Sequence, residues 1–144
     1  MTHPTSPLAL HKVNYGKLNS RQKETYNFHR VAGRLAEYGY NSILLSDDWL
    51  GADFIAYHND GKRFYRVQLK GRMTIDNKYI GKDLYIAFVD GDRIYVYPHD
   101  EMANRIEAVG NVNSSLSWSK YRSYSWPSVS KWLRELLSEF EVKG

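Results

Sequence analysis

Three side chains in the segment ADFIAYHNDGKRFYRVQLK (52–70) could act together: the carboxylate of Asp53, the amide of Gln68 and the ammonium of Lys70. The segment is two β-rich apolar runs joined at Asn59-Asp60-Gly61, and an Asp-Gly pair favours a tight hairpin because the turn needs residues that tolerate positive φ. With Asp60 and Gly61 at the turn centre, Asn59 opposes Lys62 and Asp53 opposes Gln68. Directly opposed side chains leave the sheet about 4.5–5.5 Å apart on one face, which lets two oxygen ligands reach one hard cation. Lys70 falls on the same face by the two-residue period of a strand. The opposite face receives Phe54, Ala56, Tyr65, Val67 and Leu69, an apolar set. A slip of one residue would send Gln68 away from Asp53, so the chemistry depends on the register.

The elements that would hold this hairpin can be read outward from it. Asn19 with Gln22 forms a capping box, and Phe28, Val31, Ala32 and Leu35 recur at helical spacing, which predicts a helix over about 20–38 stopped at Gly39. SILL (42–45) reads as a short buried strand and SDDWLG as an acidic turn. DLYIAFV and RIYVY flank DGD and predict a second antiparallel hairpin. Between the hairpins, GRMTIDNKYIGK reads as a loop, and HDEMANRIEAV as a short helix with a thin apolar face. Residues 110–126 read as a long structured loop interleaving Trp118, Tyr121, Tyr124 and Trp126 with Lys120 and Arg122. These aromatics read chiefly as packing anchors and alternatively as stacking platforms for bases. A final helix after Pro127 carries Val129, Trp132, Leu133, Leu136, Leu137 and Phe140 as a core stripe. The expected fold is α/β (α+β), with a central, mainly antiparallel mixed sheet flanked by an N-terminal and a C-terminal helix.

With 144 residues, 42% of them apolar, the chain supports one core; the expected organisation is an N-terminal arm (1–17) and a single domain (18–144). No cysteine occurs, which excludes disulfides and thiolate metal sites and favours a cytoplasmic setting, and no apolar run suits a membrane span. The net charge of +4 is unevenly spread. Residues 1–34 hold six Lys/Arg against one acid and residues 62–82 seven against one, whereas residues 35–61 hold five acids and no Lys or Arg. Such segregation suits a phosphate-binding surface beside a few carboxylates.

Asp53, then a strand hairpin, then Gln68-Leu69-Lys70 resembles the PD-(D/E)xK nuclease core, in the variant where Gln replaces the second acid. RQKETYNFHRVAGRLAEYGYNSILL resembles the first helix of that superfamily, and Glu24 matches its inward carboxylate. GADFIAY, YRVQLK and DLYIAFVDGDRIYVYP are similar to a subgroup that includes intron-associated (homing-type) endonucleases, so the likeness runs from about residue 18 to 135. It departs at Ala52, where many relatives have Pro, and at Gln68, whose amide oxygen can coordinate Mg²⁺ but brings no charge unless Glu24 or the Leu69 carbonyl compensates. The resemblance implies a restriction-endonuclease-like core and Mg²⁺- or Mn²⁺-dependent hydrolysis of DNA phosphodiesters. Asp53, Gln68, Glu24 and the Leu69 carbonyl would hold the metal, and Lys70 would serve the attacking water and the phosphate.

Phosphate contacts are expected from Arg21, Lys23, Arg30 and Arg34 on the first helix and from Arg66, Arg72, Lys78 and Lys82, with Lys120 and Arg122 in the aromatic stretch. A nuclease that cuts both strands implies a homodimer or a larger homo-oligomer. Each residue also has a plain structural role open to it: Asp53 as a strand-start turn residue, Gln68 and Lys70 as polar positions at a strand end, Glu24 as a partner of the helix dipole. Asp47, Asp48 and Asp83 read as further possible ligands, Asp48 rather as turn chemistry. His29, His58 and His99 lack metal-pair spacing and read as surface or packing residues. Two other functions fit the same residues: a nucleic-acid-binding module that keeps a nuclease fold without cleavage, and a protein-interaction domain using the last helix and the aromatic loop.

Overall fold

Asn19 opens the first helix by a reciprocal cap, accepting the Gln22 N–H while Gln22 Oε1 accepts the Asn19 N–H, and α1 (Ser20–Ala36) follows. The computed structural model describes residues 7–110 and 115–144. The end of the N-terminal arm is a 3-10 turn, Tyr15–Lys17, whose Tyr15 hydroxyl accepts from Asn27 Nδ2 at 2.8 Å.

After Gly39 (φ 85°) the chain runs through β1 (Tyr40–Trp49), β2 (Ala52–His58) and β3 (Phe64–Leu69) as an antiparallel meander. A crossover carries β4 (Thr74–Ile75) and a 3-10 turn, Asn77–Tyr79, and returns as β5 (Tyr85–Asp90), parallel to β3; β6 (Arg93–Pro98) closes a hairpin on β5. The sheet order is β1-β2-β3-β5-β6. Then come α2 (His99–Val109), α3 (Leu116–Tyr121), β7 (Tyr124–Ser125) paired with β4, and α4 (Lys131–Leu137). The expected α+β class, a mainly antiparallel mixed sheet with helices at both ends of the chain, is the observed one.

Two apolar cores lie on the two faces of the sheet. Phe28, Val31 and Leu35 of α1 pack on Phe54, Ala56, Val67, Leu69 and Ala87. On the other face Ile86, Phe88, Tyr95 and Tyr97 meet Met102 and Ile106 of α2 and Leu133 and Leu137 of α4. The final helix is therefore core, and full burial of those two leucines stabilises the fold by about 1.5–3 kcal/mol each.

Four local readings change. SILL is part of a ten-residue edge strand with Ile43 and Leu44 exposed, because the chain turns only at Leu50 and Gly51, both at positive φ, and SDDW continues the strand through a bulge. The first hairpin closes over four residues rather than two: His58 N–H donates to Arg63 O (2.8 Å), and Asp60 accepts from the Lys62 and Arg63 N–H groups. The loop has grown by one residue on each side, so the register survives, with Phe54 opposite Val67 and Tyr57 opposite Phe64. The segment read as the loop 71–82 is a packed crossover that buries Met73, Ile75 and Tyr79. Residues 115–126 hold α3 and β7 with Trp118 and Trp126 buried as packing anchors; residues 111–114 of that stretch lie outside the described residues.

Candidate active site

The open end of the β2–β3 pair is held apart by a carboxylate. Successive N–H groups of a strand point to alternate sides, and Lys70 N–H donates to Ala87 O of β5 (2.9 Å), so Leu69 N–H points toward β2. There it meets Asp53 Oδ2 at 2.8 Å instead of a backbone carbonyl. The side chain of Asp53 thus ends the ladder and anchors its own orientation. Gln68 is the next residue beyond the Phe54–Val67 pair on β3, and its Nε2 lies 3.4 Å from the Leu69 carbonyl. A half-turn of that amide would bring Oε1 beside Leu69 O, giving two neutral oxygens next to one carboxylate.

Asp53, Gln68, Leu69 and Lys70 line a cavity of about 370 Å³ together with Glu24, Lys23 and Asn27 of α1 and with Tyr15. An adjoining hollow of about 550 Å³ shares Glu24 and Asp53 and adds Arg21. The N-terminal turns of α1 therefore face the strand ends, which brings together residues 24, 53, 68, 69 and 70 from three elements. Lys70 Nζ sits 5.3 Å from the centre of the Tyr79 ring, a cation–π contact that holds the ammonium over the crossover.

Burial pushes the Asp53 carboxyl above the ordinary carboxylate range; the charges of Glu24 and Asp48 push it further, against the Leu69 N–H and Lys70, which favour the anion. A carboxylate disfavoured in this way gains from a nearby cation. The donors are all oxygens, which suits Mg²⁺ or Mn²⁺ rather than a thiophilic or imidazole-seeking metal. They carry two negative charges, from Asp53 and Glu24, and no group of three His, Asp or Glu side chains able to hold an ion occurs among the described residues.

The expected phosphate-binding residues divide. Lys23 and Arg21 line the two hollows, and Arg30 lines a neighbouring one with Tyr26 and Gly71. Arg34 is tied to the C-terminus through Val142 O (2.9 Å) and to Glu37. Arg66 donates to Lys82 O and lies over the Trp49 ring, Arg72 donates to Ser125 Oγ (2.8 Å), and Lys78 lies 3.8 Å from Asp76. Arg122 pairs with Glu107 at 2.6 Å and Lys120 rests on Tyr121. These six are not brought to the cavity. Asp48 accepts the Gly51 N–H as turn chemistry (2.7 Å). His99 is fully buried, accepting the Asp76 N–H at Nε2 (3.0 Å) and meeting Asp100 at Nδ1 (2.9 Å).

Asn27 and Tyr15 were not singled out from the sequence. Asn27 had a signal: it is a polar side chain next to the Phe28 stripe, three residues after Glu24 and so on the same helix face, and it is 6% exposed. Tyr15 carried none, since its place depends on how the arm folds back.

No family model matches the chain, and no curated protein matches it in sequence. Among solved structures it is similar to Hjc, a Holliday junction resolvase from Archaeoglobus fulgidus, at 11% identity and a TM-score of 0.41, over 51% of this chain and 76% of that one. This is a partial likeness, and the chemistry of the site rests on this chain's own residues.

Proposed function

We propose that the chain is a divalent-metal-dependent deoxyribonuclease of the PD-(D/E)xK kind, in its Gln-containing variant, that hydrolyses phosphodiester bonds in DNA. The observation that carries this reading is the gathering of Asp53, Gln68, Lys70 and Glu24 on one cavity beside Lys23. Asp53, the Gln68 amide oxygen, the Leu69 carbonyl and Glu24 would hold Mg²⁺ or Mn²⁺. When bound, the ion supplies Lewis-acid polarisation of the phosphate and a more acidic water. The chain's own residues do the rest. The bond from Leu69 N–H fixes the Asp53 carboxylate before substrate arrives, which lowers the cost of reorganisation. Lys70, held on Tyr79, neutralises phosphate charge and orients the attacking water, and Lys23 and Arg21 steer the backbone to the cavity.

Nicking of supercoiled DNA with added Mg²⁺ or Mn²⁺ tests the proposal. Asp53→Ala and Lys70→Ala should each lower the rate by about a hundredfold or more; unchanged nicking in both would end it. A second reading is favoured by Gln68 itself, which removes one charge from the ligand set: a nucleic-acid-binding module that has kept the fold and lost cleavage. In that case binding needs no divalent ion and survives Asp53→Ala. Cutting both strands of a duplex would call for a homodimer or higher oligomer.

A further inference from the structure

Two groups of exposed rings differ in the arginine beside them. On the second face of the sheet Ile43, Tyr57 and Phe64, from three neighbouring strands, are exposed and belong to neither core, and Arg66 among them is already bonded to Lys82 O. Beside the cavity with Asp53, Tyr15 and Tyr26 meet with ring centres 5.3 Å apart, each ring more than a third exposed. With Asn27, Arg30, Gly71 and Val89 they line a hollow of about 260 Å³. Among the described residues Arg30 has no acidic partner, and its guanidinium lies 6.0 Å from the centre of the Tyr26 ring. No carboxylate lines the hollow. Asp90, next to Val89 on β5, projects to the other face by strand alternation and lies 3.9 Å from Arg134 of α4.

The hollow adjoins the cavity. Both are lined by Tyr15, Asn27 and Gly71, and the bond from the buried Asn27 amide to Tyr15 Oη holds that ring as the partition between them. Gly71 leaves the floor between the two spaces bare, since a Cβ there would meet nothing within 4 Å. We propose that the hollow is the subsite for an unpaired nucleotide next to the scissile phosphate, its base stacked on the Tyr15 and Tyr26 rings and its own phosphate on Arg30. The proposal rests on the reading of the cavity as a DNA site and adds the form of the strand. Stacking on a side-chain ring needs a base with a free face; in a duplex the neighbours cover both faces, and only an unpaired nucleotide can turn out to meet the ring. An aromatic platform beside an uncompensated arginine suits a base and the phosphate that follows it.

Fluorescence anisotropy on the full chain, without metal, tests this with a blunt duplex, the same duplex carrying one bulged nucleotide, and the same bulge made abasic. The wild type should bind the bulged duplex about tenfold tighter than the blunt or abasic one, because the abasic bulge keeps the phosphate and lacks the base. Tyr26→Leu, at an exposed position, should abolish that preference and leave blunt-duplex binding within about twofold, whereas Tyr26→Phe should retain it. Arg30→Ala should weaken binding of the bulged duplex further than that of the blunt one. Equal binding of the bulged and abasic duplexes by the wild type overturns the proposal. So does a Tyr26→Leu chain that weakens on all three duplexes alike, which would make the ring a support for α1. A chain that shows the preference without nicking DNA upholds the subsite and ends the cleavage reading, while one that nicks without the preference overturns the subsite alone.

Discussion

At the scale of single residues, the site turns on one carboxylate doing two jobs. Asp53 closes the β2–β3 ladder through Leu69 N–H, and it is also the most buried acid on the cavity's donor list, with Glu24 and Asp48 adding repulsion. Its native pKa lies above the ordinary value, so in the metal-free protein the folded state holds the Asp53 proton more tightly than the unfolded chain does. Stability contributed by this group is then highest at low pH and falls as pH rises from the ordinary value through the raised native one. Asp53→Asn, which keeps an acceptor for Leu69 N–H, should therefore melt at a higher temperature than wild type near neutral pH, with the gap closing in acid; thermal melts across the pH range check this. Added Mn²⁺ should raise the melting temperature of wild type and not of Asp53→Asn. Gln68→Glu supplies the charge the donor set lacks, and titration calorimetry should find Mn²⁺ binding tightened by about tenfold or more. The register that ends at Phe54 and Val67, one residue short of Asp53 and Gln68, was legible from the Asp-Gly pair, although the turn itself is wider. The outcome was safe because the loop lengthened symmetrically, and only an asymmetric change shifts register.

At the scale of elements, α1 and the crossover do the positioning. The Asn19–Gln22 cap starts α1 where its second turn delivers Glu24, Lys23 and Asn27 to the cavity. Asn19→Ala should cost about 1 kcal/mol in urea unfolding and lower Mn²⁺ affinity together, since fraying that turn loosens the Glu24 side of the site. The crossover is the element that local pattern concealed. Met73, Ile75 and Tyr79 follow no strict period, and β4 is only two residues long, so its burial depends on β7, fifty residues away in sequence, which pairs with it through Thr74 and Ser125. The buried ring of His99 ties the same segment down by accepting the Asp76 N–H. Asp100 has its carboxyl below the usual range although burial opposes this, because His99 and the Gly81 N–H hold the anion. Tyr79 is thereby fixed under Lys70, a link between packing and chemistry that no short-range signal carried.

At the scale of the whole molecule, two half-layers on a five-stranded sheet leave one end with a cavity lined by Glu24, Asp53, Gln68 and Lys70, and one half-face open. The basic residues sort accordingly. Alanine at Arg21, Lys23 or Arg30, which border the hollows at that end, should reduce the slope of log K for DNA against log salt by about one each. Alanine at Arg72, Lys120 or Arg122, which bond within the second face's loops, should leave the slope unchanged, and fluorescence anisotropy over a salt series separates the two sets. Leu133→Ala, deep in the core that fixes the covered half, should cost about 2–5 kcal/mol in denaturant unfolding.

By itself the sequence determined the class of fold, the first helix with its cap, both hairpins, and the register of β2 on β3 that ends at Phe54 and Val67, because each follows from contacts between residues near in sequence: capping atoms, turn residues and the two-residue period. Only the tertiary structure decided which lysines and arginines face the cavity, that Arg34 and Arg66 are bound up in packing, that Asn27 and Tyr15 line the site, and that three strands keep an uncovered apolar face. Those outcomes depend on the parallel joining of β3 to β5 and on where the second layer of helices ends, and both are set by burial summed over distant segments, which no local pattern encodes.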